Sequence, residues 1–513
     1  MNQINNANKT ENVMKNSFVA FFGQLIYLLF SFVSRTYFIK LLGSSYLGIN
    51  GLFTNILSLL SLAELGFGTA MNYNLYSAIY DKDIEKIKSL MAYYKRVYFF
   101  IGCIILGIGG VITPFIPWFV SGNVEVEVNL YIVFVLYVLN TASTYFFSYR
   151  IAYINANQMR RVVDFYTIVF NILREIVSVI VLYYTRNFYA YIWCQIFINV
   201  ALYLFLHRKS SKLFPYLDEK ASTSLSKDEK RGIYQNVRAL LIYKVASVIL
   251  SSTDNILISV MLDTVIVGVL SNYTLISNAI KNLLNKVIHG YFASLGIANA
   301  SNSVEHKFRL FKMFRIVLFW GFGYVAIGIY LMISDVVRVW IGNEYILPVS
   351  VVFALSLYFW LEGCGNLTYS FRTTMGLFKE SQFAPVIAAI LNIVISIVFG
   401  RMYGVFGIIL ATSVSRLLTY FWIDPLIIYA KRFKKNVVEY FAYFFIYTII
   451  TIINVYVTKS IICLIPDNNI GAIVIRFFVL TLSSNLIYGL FFIPQKEFKL
   501  VFNKIKNMLK KAI

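Results

Sequence analysis

Apolar residues run through this chain in long blocks broken by short polar stretches. Fourteen blocks of 18 or more mostly apolar residues occur, at 17–39, 47–70, 97–120, 130–153, 162–184, 188–206, 239–262, 265–298, 313–334, 347–370, 382–400, 404–423, 438–458 and 470–493. Each is long enough to cross about 30 Å of hydrocarbon as an α-helix. The block 265–298 is too long for one simple crossing, and is expected to tilt or to run on past the bilayer. The pattern predicts an all-α polytopic membrane protein of about 14 transmembrane helices.

Within the blocks, polar residues fall on single helical faces. In the seventh, Lys244, Ser247, Ser251 and Asp254 follow steps of 3, 4 and 3. In the eighth, Ser271, Thr274, Asn278, Lys281, Asn285 and His289 follow steps of 3, 4, 3, 4 and 4, with Lys286 beside them. These spacings make one stripe on a 3.6-residue helix.

The chain also repeats itself. Leu42, Gly48, Thr54, Ile56, Glu85, Leu90, Val97 and Phe99 recur 220 positions later as Leu262, Gly268, Thr274, Ile276, Glu305, Leu310, Val317 and Phe319. Trp118 and Arg150 match Trp340 and Arg372 at an offset of 222. Parallel repeats of membrane helices are a transporter signature, with a substrate site expected near the midplane. The repeat divides the chain into a six-helix lobe (1–206), a linker (207–238), a second six-helix lobe (239–430), and two extra helices with a basic tail (431–513). Gln24, Ser31 and Ser34 of the first span map onto Lys244, Ser251 and Asp254 of the seventh. Both lobes thus carry a polar stripe, but the second carries the charge.

Composition agrees with the pattern. Hydrophobic residues make up 59% and charged residues 14%, and the mean hydropathy is +0.70; soluble domains carry about 25% charged residues. The formal net charge of +22 is first a topology signal. With the N-terminus inside, Lys and Arg crowd the inner loops: 82–96, 160–161, 208–238, 307–312, 431–435 and the tail. The outer loops hold few Lys or Arg, among them Arg186, Arg338, Arg401 and Lys459, against acidic residues that include Glu125, Glu127, Asp263, Asp335 and Glu344. Both termini are expected in the cytoplasm. The charge then needs no nucleic-acid partner, and inner-face clusters suit anionic membrane lipids.

Other classes are disfavoured. The start does not read as a cleavable signal peptide. Cys103, Cys194 and Cys364 lie in predicted spans and Cys463 between the last two, far apart in sequence, which argues against a disulfide framework and a zinc site; no metal or other cofactor is expected. There is no GxxxxGK[ST] phosphate loop. Outer connections are short, whereas a polysaccharide polymerase or ligase usually builds catalysis on a sizeable outer loop or domain. No enzyme is expected, and no catalytic residue is named. The linker sequence reads as a connection with an amphipathic helix along the membrane surface.

Charges at membrane depth cost about 2.5–3.5 kcal/mol each and need an interior or a wet cavity. Lys281, deep in its span, is the leading substrate-binding candidate. Lys244, Ser251, Asp254, Asn278, Asn285, Arg416, Gln24 and Arg35 complete the candidate cavity. Each has a plainer reading. Ser, Thr and Asn serve helix packing; Asp254 also reads as a structural acceptor; Arg35 also reaches the interface. Lys244 and Asp254, ten residues apart, cannot pair directly. Glu64, Glu362 and Asp254 are candidates for proton or cation coupling, and the two glutamates have no evident partner. Adjacent Arg174 and Glu175 point differently, so separate partners are expected. Arg150 and Arg372, repeat-related and at inner helix ends, read as anchors.

The stretch TYFIKLLGSSYLGINGLFTNILSLLSLAELGFGTAMNYNLYSAIYDKDIEKIKSLMAYYKRVY (36–98) resembles the N-terminal region of bacterial polysaccharide repeat-unit flippases, and SSTDNILISVMLDTVIVGVLSNYTLISNAIKNLL (251–284) resembles the start of their second lobe. These belong to the multidrug/oligosaccharidyl-lipid/polysaccharide exporter superfamily. The resemblance covers essentially the whole chain. It implies alternating-access flipping of an undecaprenyl-diphosphate-linked oligosaccharide in the bacterial plasma membrane, for O-antigen, capsule or exopolysaccharide, with polysaccharide polymerase machinery as a possible partner. Basic cavity residues common in related flippases would correspond to Lys244, Lys281 and Arg416. The last two spans lie outside the repeat and offer a groove for a polyprenyl tail. The rivals are a cation-coupled multidrug antiporter of the same superfamily, which predicts an acidic, aromatic cavity, a lipid II flippase or sporulation-type relative, and a polymerase or ligase.

Overall fold

The computed structural model describes the backbone of residues 2–61, 67–122, 124–157, 159–301, 303–377, 379–466, 469–500 and 502. It describes their side chains except at 2–21, 67–70, 72–73, 235–236, 238–244, 247, 251, 286–301 and 379. Among the described residues there is no strand. The helices are α1 (Asn2–Leu42), α2 (Ser44–Leu60), α3 (Phe67–Tyr80), α4 (Ile84–Ile112), α5 (Leu130–Ala156), α6 (Arg160–Thr185), α7 (Phe188–Leu213), α8 (Lys227–Met261), α9 (Thr264–Ser301), α10 (Val304–Ile341), α11 (Val349–Thr374), α12 (Ala384–Leu418), α13 (Tyr420–Ile428), α14 (Val438–Ile462) and α15 (Ile470–Phe492).

Ten helical stretches among the described residues are long and apolar enough to cross a membrane. One, Ala384–Phe433, holds two of the expected crossings, 382–400 and 404–423. It breaks at Gly404, where φ is 59° and ψ −139°. A straight helix would set residues 399 and 407 about 12 Å apart. Instead a Cβ built on Gly407 would lie 2.0 Å from the Phe399 carbonyl oxygen, so the chain doubles back. The other three expected spans lie on α8, on α9 and on α2 with α3, between which 62–66 lie outside the described residues. The long block 265–298 is one unbroken helix of 38 residues, about 57 Å of rise. The protein is a polytopic all-α membrane protein.

Turn chemistry sets the helix starts. Asn129, Asn187 and Asn469 accept from the first-turn amides of α5, α7 and α15, and Asp83 from that of α4. Ser226 and Glu229 close a capping box on α8. Such caps are worth about 1 kcal/mol each.

The chain divides into two compact units, Met1–Gly268 and Val269–Ile513. In the first, α1 lies on α6, α4 on α5, and α7 on both α5 and α6. Its core is aromatic, with Phe53 edge-on to Phe134 and Phe38 to Tyr191. Helix α2 meets the first turn of α9 through the repeat-related glycines. A Cβ on Gly48 would sit 2.2 Å from the Thr264 carbonyl oxygen, and one on Gly268 would sit 2.7 Å from the Gly48 nitrogen. Only residues without a side chain permit that approach.

The two ends of the linker belong to α7 and α8, and between Leu213 and Lys227 it forms no α-helix. Helix α7 continues to Leu213, Pro215–Asp218 makes one 3₁₀ turn, and α8 begins at Lys227. Pro215 cannot continue the α-helix. The stretch beyond it finds partners on the first unit instead. Asp218 pairs with Arg150 (2.6 Å) and Glu219 with Lys88 (3.2 Å). Ser89 donates to the Thr223 carbonyl (2.6 Å), and the Ser222 amide donates to Glu85 (3.0 Å). Arg150 thus ties this stretch to the C-terminal part of α5.

In the second unit, α10 packs on α11, α11 on α12 and α13, and α14 and α15 pack on each other and on α10. Phe311, Phe371, Tyr429, Phe433 and Tyr440 form one aromatic knot. Polar contacts join the last two helices: Asn454 donates to the Ser484 carbonyl (3.1 Å), and Thr458 meets Ser483 (3.1 Å). Asp335, expected in an outer loop, is inside α10, buried, and paired with Arg476 of α15 at 2.6 Å. Helix α10 runs past its apolar block at both ends, and this ion pair ties its C-terminal turns to α15.

Candidate substrate site: charged clusters within the bundle

Three helices of the second unit bring three charges together. Lys281 on α9 donates to Glu362 Oε2 on α11 at 3.0 Å. Arg416, in the last turn of α12, sets Nη2 3.5 Å from Glu362 Oε1. Tyr358, one turn before Glu362, bonds both Glu362 and Arg416, and its ring lies 5.2 Å from the guanidinium centre. The cluster sums to one positive charge. It is neither sealed nor surface: the side chains of Lys281, Glu362 and Arg416 are 23%, 20% and 25% exposed. Arg416 Nε is buried with no acceptor. A partly open cationic site with a spare donor can take an anionic group by displacing the carboxylate.

Sequence reading found all three residues but left Glu362 without a partner; the structure supplies two. The spacing of 81 residues between Lys281 and Glu362 explains why. Asn285, one turn beyond Lys281, is half-buried, and Asn278 is exposed. A second ion pair in this unit is fully buried: Arg372 Nε lies 3.1 Å from Asp424 Oδ1 of α13. It fits the anchoring role read for Arg372. A third charge, Arg315 of α10, sits 3.8 Å over the Tyr443 ring and 4.0 Å from Glu439.

The first unit holds its own cluster. Arg174 and Glu175 bond each other at 3.1 Å, which corrects the expectation of separate partners. Both side chains are long enough to curl together although they start from adjacent positions on α6. Arg174 also donates to Asn199 (3.3 Å) and bonds Tyr27; Asn199 donates to Asn140 (3.0 Å). Arg35 is half-buried near Glu175, Tyr137 and Tyr191 rather than reaching out on its own. Gln24 and Asp254 are half-buried on α1 and α8. Glu64 and the side chains of Lys244 and Ser251 lie outside the described residues.

Sequence reading missed Asp424 and Arg476. Each is the single charge of its helix, α13 and α15. That isolation was the available signal, because a lone charge at depth requires a partner. No group of three potential metal ligands occurs among the described residues.

No family model and no curated protein sequence matches the chain. Solved structures do. The chain is similar to the lipid II flippase MurJ in an inward closed conformation: TM-score 0.67, 16% identity, covering 93% of this chain and 99% of that one. It is similar to an inward-facing multidrug resistance MATE family transporter of the MOP superfamily: TM-score 0.61, 16% identity, 81% and 98% covered. A Vibrio cholerae MATE transporter gives TM-score 0.56 at 11% identity, with 83% and 98% covered. The polytopic bundle described above thus has the fold shared by the lipid II flippase MurJ and the MATE transporters of the MOP superfamily.

Proposed function

We propose that this protein flips undecaprenyl-diphosphate-linked oligosaccharide repeat units from the inner to the outer leaflet of a bacterial plasma membrane, by alternating access, for surface polysaccharide assembly. Both termini are then cytoplasmic, following the basic loops. The observation that carries the reading is the cationic Lys281–Glu362–Arg416 cluster. A diphosphate binds there by replacing Glu362 as the partner of both cations, Arg416 offering a fork and Lys281 a point charge. Glu362 holds the cations together in the empty protein. The lipid tail stays in the bilayer, alongside α14 and α15.

The membrane potential favours outward movement of the anionic head by about 2.3 kcal/mol per charge per 100 mV. The test is flipping of lipid-linked oligosaccharide in vesicles by wild-type protein and by Lys281→Ala at equal protein density. The variant is expected to lose flipping. Wild-type rates from it would end the assignment.

The likeness to MATE transporters supports a second reading, a cation-coupled multidrug antiporter in which Glu362 exchanges protons or sodium. That reading requires cationic drug efflux, and loss of transport when the ion gradient alone is removed at fixed potential.

A further inference from the structure

The first unit carries a separate cavity of about 730 Å³ beside the linker, walled by the end of α5, the start of α4 and residues 217–225. Six basic side chains line it: Lys88, Lys95, Arg96, Arg150, Lys220 and Lys230. Two acidic ones face them, Asp218 and Glu219. Those two are already committed, Asp218 to Arg150 and Glu219 to Lys88. Lys95, Arg96, Lys220 and Lys230 have no carboxylate within ion-pair distance among the described residues. Arg150 is 6% exposed at its side chain. Its Nη2 holds Asp218 and the Leu217 carbonyl, but its Nη1 has no acceptor. A buried guanidinium donor without a partner is destabilising. Four unpaired cations around a cavity cost more through repulsion.

We propose that this cavity is a binding site for a phosphate-bearing anion, distinct from the Lys281 cluster. The ligand completes Arg150 and neutralises the cations that α4, α8 and the linker bring together. Because residues 217–225 form one wall, the occupied site fastens the linker to the first unit. The volume suits a phosphorylated headgroup better than a single phosphate. Two sources carry that chemistry, an anionic lipid and a soluble phosphate compound.

The test uses the full chain in neutral detergent at matched ionic strength. Thermal unfolding is followed against dioctanoyl phosphatidylglycerol, dioctanoyl phosphatidylcholine and inorganic pyrophosphate. Saturable stabilisation is expected from phosphatidylglycerol, pyrophosphate or both, and none from phosphatidylcholine. Phosphatidylglycerol alone identifies a lipid headgroup; stabilisation by pyrophosphate that persists in Lys281→Ala and is lost in Lys220→Glu/Lys230→Glu identifies a soluble ligand of this cavity. The surface double variant Lys220→Glu/Lys230→Glu is expected to weaken the apparent Kd at least tenfold, while Lys281→Ala leaves it unchanged. No saturable stabilisation by either anion overturns the proposal, as does equal affinity in the double variant. Its failure is separable from failure of the transport reading, since no substrate or gradient enters the experiment.

Discussion

The repeat places Asn140 in the first unit where Glu362 stands in the second, 222 positions later. Both residues are polar hubs on repeat-related helices, α5 and α11. Around Asn140 the links are Asn199, Arg174 and Glu175, and the ion pair lies between neighbours on one helix, α6. Around Glu362 the links are Lys281 and Arg416, and each charge is on a different helix. Rigid movement of α6 leaves the first pair intact. A shift of an ångström or two between α9, α11 and α12 breaks the second. Charge and helix position are therefore coupled in the second unit and uncoupled in the first. The first cluster holds a structure together, while the second can report or drive a rearrangement.

The largest expected effect comes from cutting the second hub. Lys281→Ala and Arg416→Ala each are expected to abolish flipping in reconstituted vesicles. Lys281→Arg retains part of it, since a cation remains. Glu362→Gln leaves two cations facing each other. Removing one partner of a buried ion pair costs about 3–5 kcal/mol, less here because a fifth of the side chain is exposed. A clear fall in Tm in detergent is the readout. The double variant Lys281→Met/Glu362→Gln is expected to recover Tm without recovering flipping. Recovery of both would make the cluster purely structural and erase the contrast with the first unit.

The first hub should behave the other way round. Arg174→Met removes bonds to Glu175, Asn199 and Tyr27. Polar contacts between membrane helices average about 0.6 kcal/mol, so the loss is on the order of 1–2 kcal/mol with Glu175 left unpaired. Lower Tm and lower protein yield are expected, with flipping per molecule within about twofold of wild type. A tenfold loss of flipping per molecule would give the first hub a transport role.

How much of this was legible beforehand differs between backbone and site. Among the described residues the apolar blocks fall almost wholly on helix, because 59% hydrophobic content leaves a lipid-embedded chain few other ways to satisfy its backbone. The repeat-related Gly48 and Gly268 mark a real close approach. Lys281, Glu362 and Arg416 stood out as charges out of place, but their mutual contact is tertiary and has no signature in spacing. Arg174 and Glu175 were misread because adjacency on a helical wheel ignores the reach of long side chains. The middle of the linker leaves the helix because Pro215 interrupts it and four partners on α4 and α5 hold the stretch that follows, none of which spacing shows.

The smallest expected effect concerns the linker and sharpens the contrast from outside the bundle. Burial tends to raise the Asp218 pKa, but the Ser211 hydroxyl and the Arg150 guanidinium outweigh it and hold the carboxyl below its ordinary 3.8. A depressed carboxylate stabilises the folded state above its unfolded pKa, and the contribution is lost as pH falls through the folded value. The linker contact is thus fully present from pH 7 down to about 5, and weakens only below 3.8. Asp218 is half exposed, so screening limits the contribution to on the order of 0.2–1 kcal/mol. Asp218→Asn removes it at every pH. Limited trypsin digestion at pH 7.5 is expected to cut the Asn variant several-fold faster at Lys220 than wild type, with overall Tm almost unchanged. Equal cutting rates would mean that Lys88–Glu219 and Ser89–Thr223 hold the linker without Arg150.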